Sequence, residues 1–151
     1  MRHGPAEDVA PSGQDFDRAL TVPGRERVRR VADELVRRGE APRRILASPL
    51  VRALQTAEIV AQACKAPEPV TVRREISPGG ELELLVEELR RHGASRVMLV
   101  GHEPDMSSLV QALLPAGFGQ PFEKAMVVGL RCRDRRFERR FVLEPRGLAW
   151  S

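Results

Sequence analysis

Two of the three histidines in this 151-residue chain stand where chemistry is easily arranged: His3 within Arg2-His3-Gly4, and His102 directly after Gly101. A third segment, Ser48-Pro49-Leu50-Val51-Arg52, adds a hydroxyl and a guanidinium. A neutral imidazole is a competent nucleophile at neutral pH and needs no metal to activate it. Guanidinium forks grip phosphoryl oxygens bidentately, and a helix N-terminus after Pro49 adds backbone donors. These residue types match in-line phosphoryl transfer. His3 would attack phosphorus while Arg2, Arg52 and a protonated His102 hold the oxygens over which charge spreads. Arg52 falls in the first turn of a predicted helix, where the helix dipole disfavours a cation, so it is expected to meet an anion. His92, just before Gly93, is read as a complement to a helix C-terminus, and Ser48 as a turn and capping residue. No carboxylate or cysteine keeps ligand spacing with the two histidines, so neither a metal nor any other cofactor is expected.

The elements that must position these residues follow from pattern. Residues 4–22 are polar, rich in Gly, Pro, Ser and Asp, and read as a long loop of the kind that is usually functional. Thr21 can cap a helix whose apolar positions Val28, Val31, Ala32 and Leu35 recur at helical spacing, with Gly39 as its stop. Residues 44–47 form a short buried strand, and a second helix runs from Leu50 to Ala63. A brief strand covers 70–73, a third helix 81–92, an apolar strand 96–100 and a fourth helix 104–114. Residues 125–130 and 137–143 alternate like a hairpin turning near Asp134. Strands alternating with helices predict a mostly parallel sheet covered on both faces, an α/β/α sandwich. His3, Ser48 with Arg52, and His102 then lie at strand ends, where open α/β sheets bind their ligands.

Composition narrows the class. The length fits one domain spanning residues 1–151. Hydrophobic residues make up 42% and charged residues 30%, a balance that excludes a disordered chain. Lysine and arginine total 25 against 21 acidic residues, and only Lys65 and Lys124 are lysines, leaving 23 arginines. That excess suits a protein that handles phosphate. Most of the arginines alternate with glutamate on helical faces and no aromatic residues interleave with them, so nucleic acid is not the expected partner. The run from Arg131 to Arg140 reads either as a solvated hairpin or as a docking surface for an acidic protein. Cys64 and Cys132 lack CxxC spacing and favour reduced thiols. With no signal-like or membrane-length apolar run, the expectation is a cytoplasmic, monomeric protein away from the membrane.

Taken in order, Arg2-His3-Gly4, Ser48-Pro49-Leu50-Val51-Arg52-Ala53-Leu54-Gln55-Thr56-Ala57 and Val100-Gly101-His102-Glu103-Pro104 resemble the histidine phosphatase superfamily, which includes the phosphoglycerate mutases. Small size, the lack of an inserted cap, and the stretches Arg18-Ala19-Leu20-Thr21 and Ile76-Ser77-Pro78-Gly79-Gly80 make it most similar to the SixA-type phosphohistidine phosphatases. The resemblance implies a sheet of about six strands without a cap domain, and a covalent phosphohistidine on His3. It also implies a phosphate pocket of Arg2, Arg52 and His102, with Arg18 as a further clamp from the long loop. Related enzymes acting on oxygen esters protonate the leaving group with a carboxylate. Glu81 is the first candidate for that role, with Glu103 and Asp105 as alternatives.

Members of the family carry about half a dozen apolar residues ahead of the first motif as a central strand. This chain has only Met1 there, so the expectation is that translation starts further upstream and Met1 ends that strand. The expected activity is dephosphorylation of phosphohistidine in a signalling protein such as a histidine phosphotransfer domain. A phosphatase for a small phosphoester, or a phosphate-binding module without catalysis, are the alternatives.

Overall fold

The computed structural model describes residues 1–151. Four helices and five strands alternate along it: α1 (Val22–Arg37), β1 (Arg44–Ala47), α2 (Val51–Cys64), β2 (Thr71–Val72), α3 (Leu82–Arg91), β3 (Val97–Val100), α4 (Asp105–Leu113), β4 (Val127–Arg133) and β5 (Arg136–Leu143). Their origins are local. Thr21 Oγ1 accepts the Gly24 N–H at 3.0 Å and so caps α1, with Pro23 in its first turn. Gly39 at φ 71° and Gly93 at φ 62° follow the ends of α1 and α3, in the left-handed geometry that suits glycine. Asp134 and Arg135 both take positive φ in the turn between β4 and β5, as a two-residue hairpin requires.

β2, β1 and β3 form a parallel sheet in that order, and β4 pairs with β5 antiparallel. Apolar residues are buried on both sides of the parallel sheet. On one face Ile45 and Ala47 pack with Val28, Val31 and Leu35 of α1 and Ala53, Ala57 and Val60 of α2. On the other, Leu46 packs with Leu82 and Leu85 of α3 and Met106, Leu109 and Val110 of α4. The alternation along β1 thus feeds two apolar clusters, and the α/β/α layering expected from the sequence is present. No helix is long and apolar enough to cross a membrane.

The expected sheet of about six strands is not formed. Three parallel strands and an antiparallel pair stand side by side, linked only by the segment Met1–His3. Met1 O accepts the Gly101 N–H at 3.1 Å and the His3 N–H donates to Gly101 O at 3.0 Å, which ties the segment to the end of β3. On its other side the Arg2 N–H donates to Met126 O at 3.2 Å, and the Ala125 N–H donates to His3 O at 3.0 Å, just before β4. Beyond these residues β3 and β4 do not pair, so the sheet remains divided.

Candidate active site

His3 leaves this seam between the two sheets and is held by close packing of the residues after it. A Cβ on Gly4 would meet Val28 Cγ2 at 2.6 Å, and one on Gly24 would meet Pro5 O at 2.1 Å. Only glycines allow the chain after His3 to press onto the start of α1. The Gly4 N–H donates to Thr56 Oγ1 at 3.0 Å, and the Thr56 hydroxyl donates to Arg52 O at 2.7 Å. The fully buried Thr56 therefore ties the His3 loop to α2, one turn beyond Arg52.

His3, Arg52 and His102 are 5%, 6% and 3% exposed, so all three are true interior groups. The His3 and His102 rings lie 5.2 Å apart between centroids. His3 Nδ1 is 2.7 Å from Gly4 O. A carbonyl can only accept, so Nδ1 carries the proton and Nε2 keeps its lone pair. Burial lowers the His3 pKa to about 3; the bond to Gly4 O opposes this, while His102, Arg52 and Arg2 reinforce it. The ring is neutral at pH 7, with the lone pair on Nε2 free.

His102 Nε2 lies 2.8 Å from Ser48 Oγ, which also accepts the Leu50 N–H at 3.3 Å at the entrance to α2. Because that N–H occupies the hydroxyl as an acceptor, Ser48 serves both the turn and the histidine. Burial, then the charge of Arg52, lowers the His102 pKa to about 4, against the pull of Asp105 and Asp15. In the free protein His102 is thus neutral at pH 7.

Arg2 Nη1 donates to Phe122 O at 2.7 Å. Arg2 Nε, Arg52 Nε and His102 Nδ1 are buried without a protein partner. Three such polar atoms around one histidine mark a place suited to an anion, since a buried polar group left unpaired costs free energy. Arg52 directs the rest of its fork at Asp15: Nη1 reaches Asp15 O at 2.8 Å and Nη2 reaches Oδ2 at 3.0 Å. Arg18 Nη1 takes the other carboxylate oxygen at 2.7 Å, and its Nε donates to Glu7 O at 2.6 Å.

Arg2, His3, Arg52 and His102 are therefore brought together as the sequence suggested. Arg18 joins them only through Asp15, a carboxylate that sequence reasoning passed over. The single sequence signal for it was the Asp15-Phe16-Asp17 cluster just ahead of Arg18. Thr56 was also missed; a threonine four residues after Arg52, on the buried side of α2, was its signal. Glu81 is exposed at the N-cap of α3, with no hydrogen bond or ion pair to the site. Glu103, just ahead of α4, accepts from the Ser107 N–H at 3.1 Å and the Ser107 hydroxyl at 2.5 Å in the first turn of that helix. Asp105 accepts the Gly79 N–H at 2.8 Å. Against the push of burial, hydrogen bonds from Arg18 and Arg52 hold the Asp15 carboxyl below its usual range. None of these carboxylates hydrogen-bonds to His3.

The model of the histidine phosphatase superfamily (branch 1) matches residues 1–83, more than half of the chain, and this chain belongs to that superfamily. Among particular relatives it is 34% identical over 118 residues to the phosphohistidine phosphatase SixA of Escherichia coli, across 76% of this chain and 72% of that one. An uncharacterized protein of a Picosynechococcus strain is 39% identical over 146 residues, covering 91% of this chain and 86% of its own. A solved structure of the protein histidine phosphatase SixA complexed with tungstate superposes with a TM-score of 0.89 at 27% identity, covering 99% and 97% of the two chains. A phosphoglycerate mutase from Bacillus anthracis shares the fold, with a TM-score of 0.70 at 15% identity over 91% and 88% of the chains.

Proposed function

We propose that this protein hydrolyses phosphohistidine carried by another protein, through a phosphoryl group held transiently on His3. The observation that carries the reading is the hydrogen bond from His3 Nδ1–H to Gly4 O. It fixes the tautomer that leaves Nε2 unprotonated, inside a pocket of Arg2, Arg52 and His102.

In the first step the Nε2 lone pair forms a bond to phosphorus as the substrate's P–N bond breaks. The departing imidazole keeps the electron pair and takes a proton from solvent. Arg2 and Arg52 neutralise the phosphoryl oxygens, and His102, protonated as the anion approaches, donates a further hydrogen bond. In the second step water adds to phosphorus, the bond to His3 breaks, phosphate leaves and Nε2 recovers its lone pair. No metal takes part in either step. Imidazole leaves well without a strong acid, whereas an alkoxide does not. Glu103 and Asp105 are hydrogen-bonded to Ser107 and Gly79, and Arg18 and Arg52 hold the Asp15 carboxyl below its usual range, which favours N–P substrates over phosphate esters. A signalling phosphotransfer domain is the proposed partner, and the free thiols of Cys64 and Cys132 fit a cytoplasmic setting.

The test is phosphate release from a histidine-phosphorylated phosphotransfer protein beside a panel of phosphoserine, sugar phosphates and nucleotides, with a chelator present. Wild type should clear the phosphohistidine preferentially, and His3→Ala should not. Preferential turnover of the esters would refute the substrate, and undiminished turnover by His3→Ala would refute the nucleophile.

A further inference from the structure

Between the bridged residues Ala6 and Leu20 the chain closes on itself as a compact loop. The Glu7 N–H donates to Ala19 O at 2.9 Å and Arg18 Nε donates to Glu7 O at 2.6 Å, so residues 7–19 leave and return at one place. Within the loop the Ser12 hydroxyl donates to Asp17 Oδ2 at 2.7 Å, and Ala10 is buried. A loop packed by its own side chains in this way keeps a defined shape. Asp15 fastens it to Arg52 of the phosphate pocket through both its backbone carbonyl and its carboxylate. What the loop exposes therefore stands at the rim of the site. It exposes two kinds of group. Val9 and Phe16 are 72% and 47% exposed, two of only six large apolar side chains left exposed in the whole chain. A third, Val22, is 70% exposed and opens α1 directly after the loop. Glu7, Asp8, Asp15 and Asp17 are exposed carboxylates, and the loop's one cation, Arg18, has its Nε and Nη1 taken by Glu7 O and Asp15. Glu103 and Asp105 add two more acids at the start of α4, and their charges reach Arg2 and His102. A cationic pocket thus lies within an acidic and partly apolar rim.

We infer that residues 7–19 form the docking rim for the protein that delivers phosphohistidine, an assignment resting on the hydrolysis proposed for His3, and that the rim fits a partner surface whose phosphohistidine is flanked by basic and apolar side chains. A single exposed apolar residue needs no explanation. Val9 and Phe16 differ in standing on one short loop that is bonded to a pocket arginine. Neither contributes to the core, and each is free to be covered by whatever surface surrounds an arriving phosphoryl group. Because the loop is already ordered, little conformational freedom is lost when it is covered. The carboxylates supply the selection. Glu7 serves Arg18 through its backbone only, so its side chain, like that of Asp8, is left to face solvent. Lysine or arginine on the partner would meet these acids and set its orientation and encounter rate. A partner carrying acids around its phosphohistidine would be repelled at the rim before its phosphoryl group reached Arg52, which is selection by exclusion.

The experiment measures kcat and KM on three probes: free phosphohistidine, a short phosphohistidine peptide flanked by leucine and lysine, and the same peptide with glutamate in place of lysine. Wild type is compared with the double variants Val9→Ser/Phe16→Ser and Glu7→Lys/Asp8→Lys. Wild type should favour the lysine peptide over the glutamate peptide by about fivefold in kcat/KM. Val9→Ser/Phe16→Ser should lose about tenfold on the lysine peptide, through KM with kcat unchanged. Glu7→Lys/Asp8→Lys should reverse the preference and favour the glutamate peptide. Free phosphohistidine, which does not reach the rim, should be turned over equally by all three proteins, and this also shows that the variants are folded. Equal use of both peptides by wild type and by the charge-reversed variant would overturn the docking rim while leaving hydrolysis at His3 intact. So would losses of the same size on free phosphohistidine and on the peptides. Failure of wild type on every probe would refute phosphohistidine hydrolysis itself, and the rim would fall with it.

Discussion

Thr56 is where the proposed nucleophile is most sharply exposed to a single change. Thr56→Val keeps the side-chain shape but removes the hydroxyl that accepts the Gly4 N–H and donates to Arg52 O. The Gly4 N–H has no other partner and stays buried, which costs about 1–3 kcal/mol. For a chain of this size that lowers Tm by about 3–9 °C. Gly4 O is the acceptor that sets the His3 tautomer, so a loosened Gly4 also lets the ring drift from its line of attack. About 1.4 kcal/mol of lost positioning is a tenfold drop in kcat, with KM little altered because the arginines remain. Thermal denaturation and steady-state phosphohistidine hydrolysis measure both quantities, and Thr56→Ser should restore both. An unchanged Tm and kcat in Thr56→Val would refute the coupling of α2 to the nucleophile. So would a loss that serine fails to rescue, since that would trace to packing alone.

Asp15→Asn removes the carboxylate that competes with an incoming anion for Arg52 and Arg18. Because the pair is largely exposed on the Asp15 side, phosphate or tungstate should bind only about threefold more tightly by calorimetry; weaker binding would make Asp15 a support for Arg52 instead. His3 and His102 have folded pKa values of about 3 and about 4, below the ordinary histidine value near 6.5. The unfolded chain therefore binds more protons, so their contribution to stability is full above about pH 6.5. It falls by roughly 1.4 kcal/mol per pH unit for each histidine down toward their folded pKa values. Urea titrations at pH 7, 6 and 5 should show this slope, and a flat profile would contradict it. Burial, with Asp33 nearby, raises the Cys64 pKa to about 11, while Cys132 is exposed. Iodoacetamide at pH 8 should accordingly label Cys132 well before Cys64, as read by peptide mass spectrometry.

How much of this was legible in the chain can be judged from particular residues. β1 appears at 44–47 as read, because the three apolar residues Ile45-Leu46-Ala47 between Arg44 and Ser48-Pro49 leave no other strand boundary. The hairpin and its turn near Asp134 were visible in the alternation. His3, Arg52 and His102 could be placed together because each follows a strand end, a property of topology more than of distance along the chain. Asp15 could not be found that way, since its partners depend on how a long loop folds back over α2. The roles of Thr56 and Ser48 are side-chain-to-backbone bonds, which leave no periodic trace. The sheet was over-counted because β3 and β4 are joined only through isolated bonds to Met1–His3 and do not belong to one ladder.

The seam at His3 also sets an order of events during synthesis. Arg2 and His3 precede by more than a hundred residues the backbone groups that hold them on one side, those of Ala125 and Met126. The nucleophile thus waits for more than a hundred further residues before its setting exists. A growing chain halted before the hairpin carries His3, Arg52 and His102 without the Ala125 and Met126 backbone that holds the segment Met1–His3 in place. Turnover would begin only when the distal end of the polypeptide closes against its head, so activity on a stalled-ribosome series should switch on abruptly rather than build gradually.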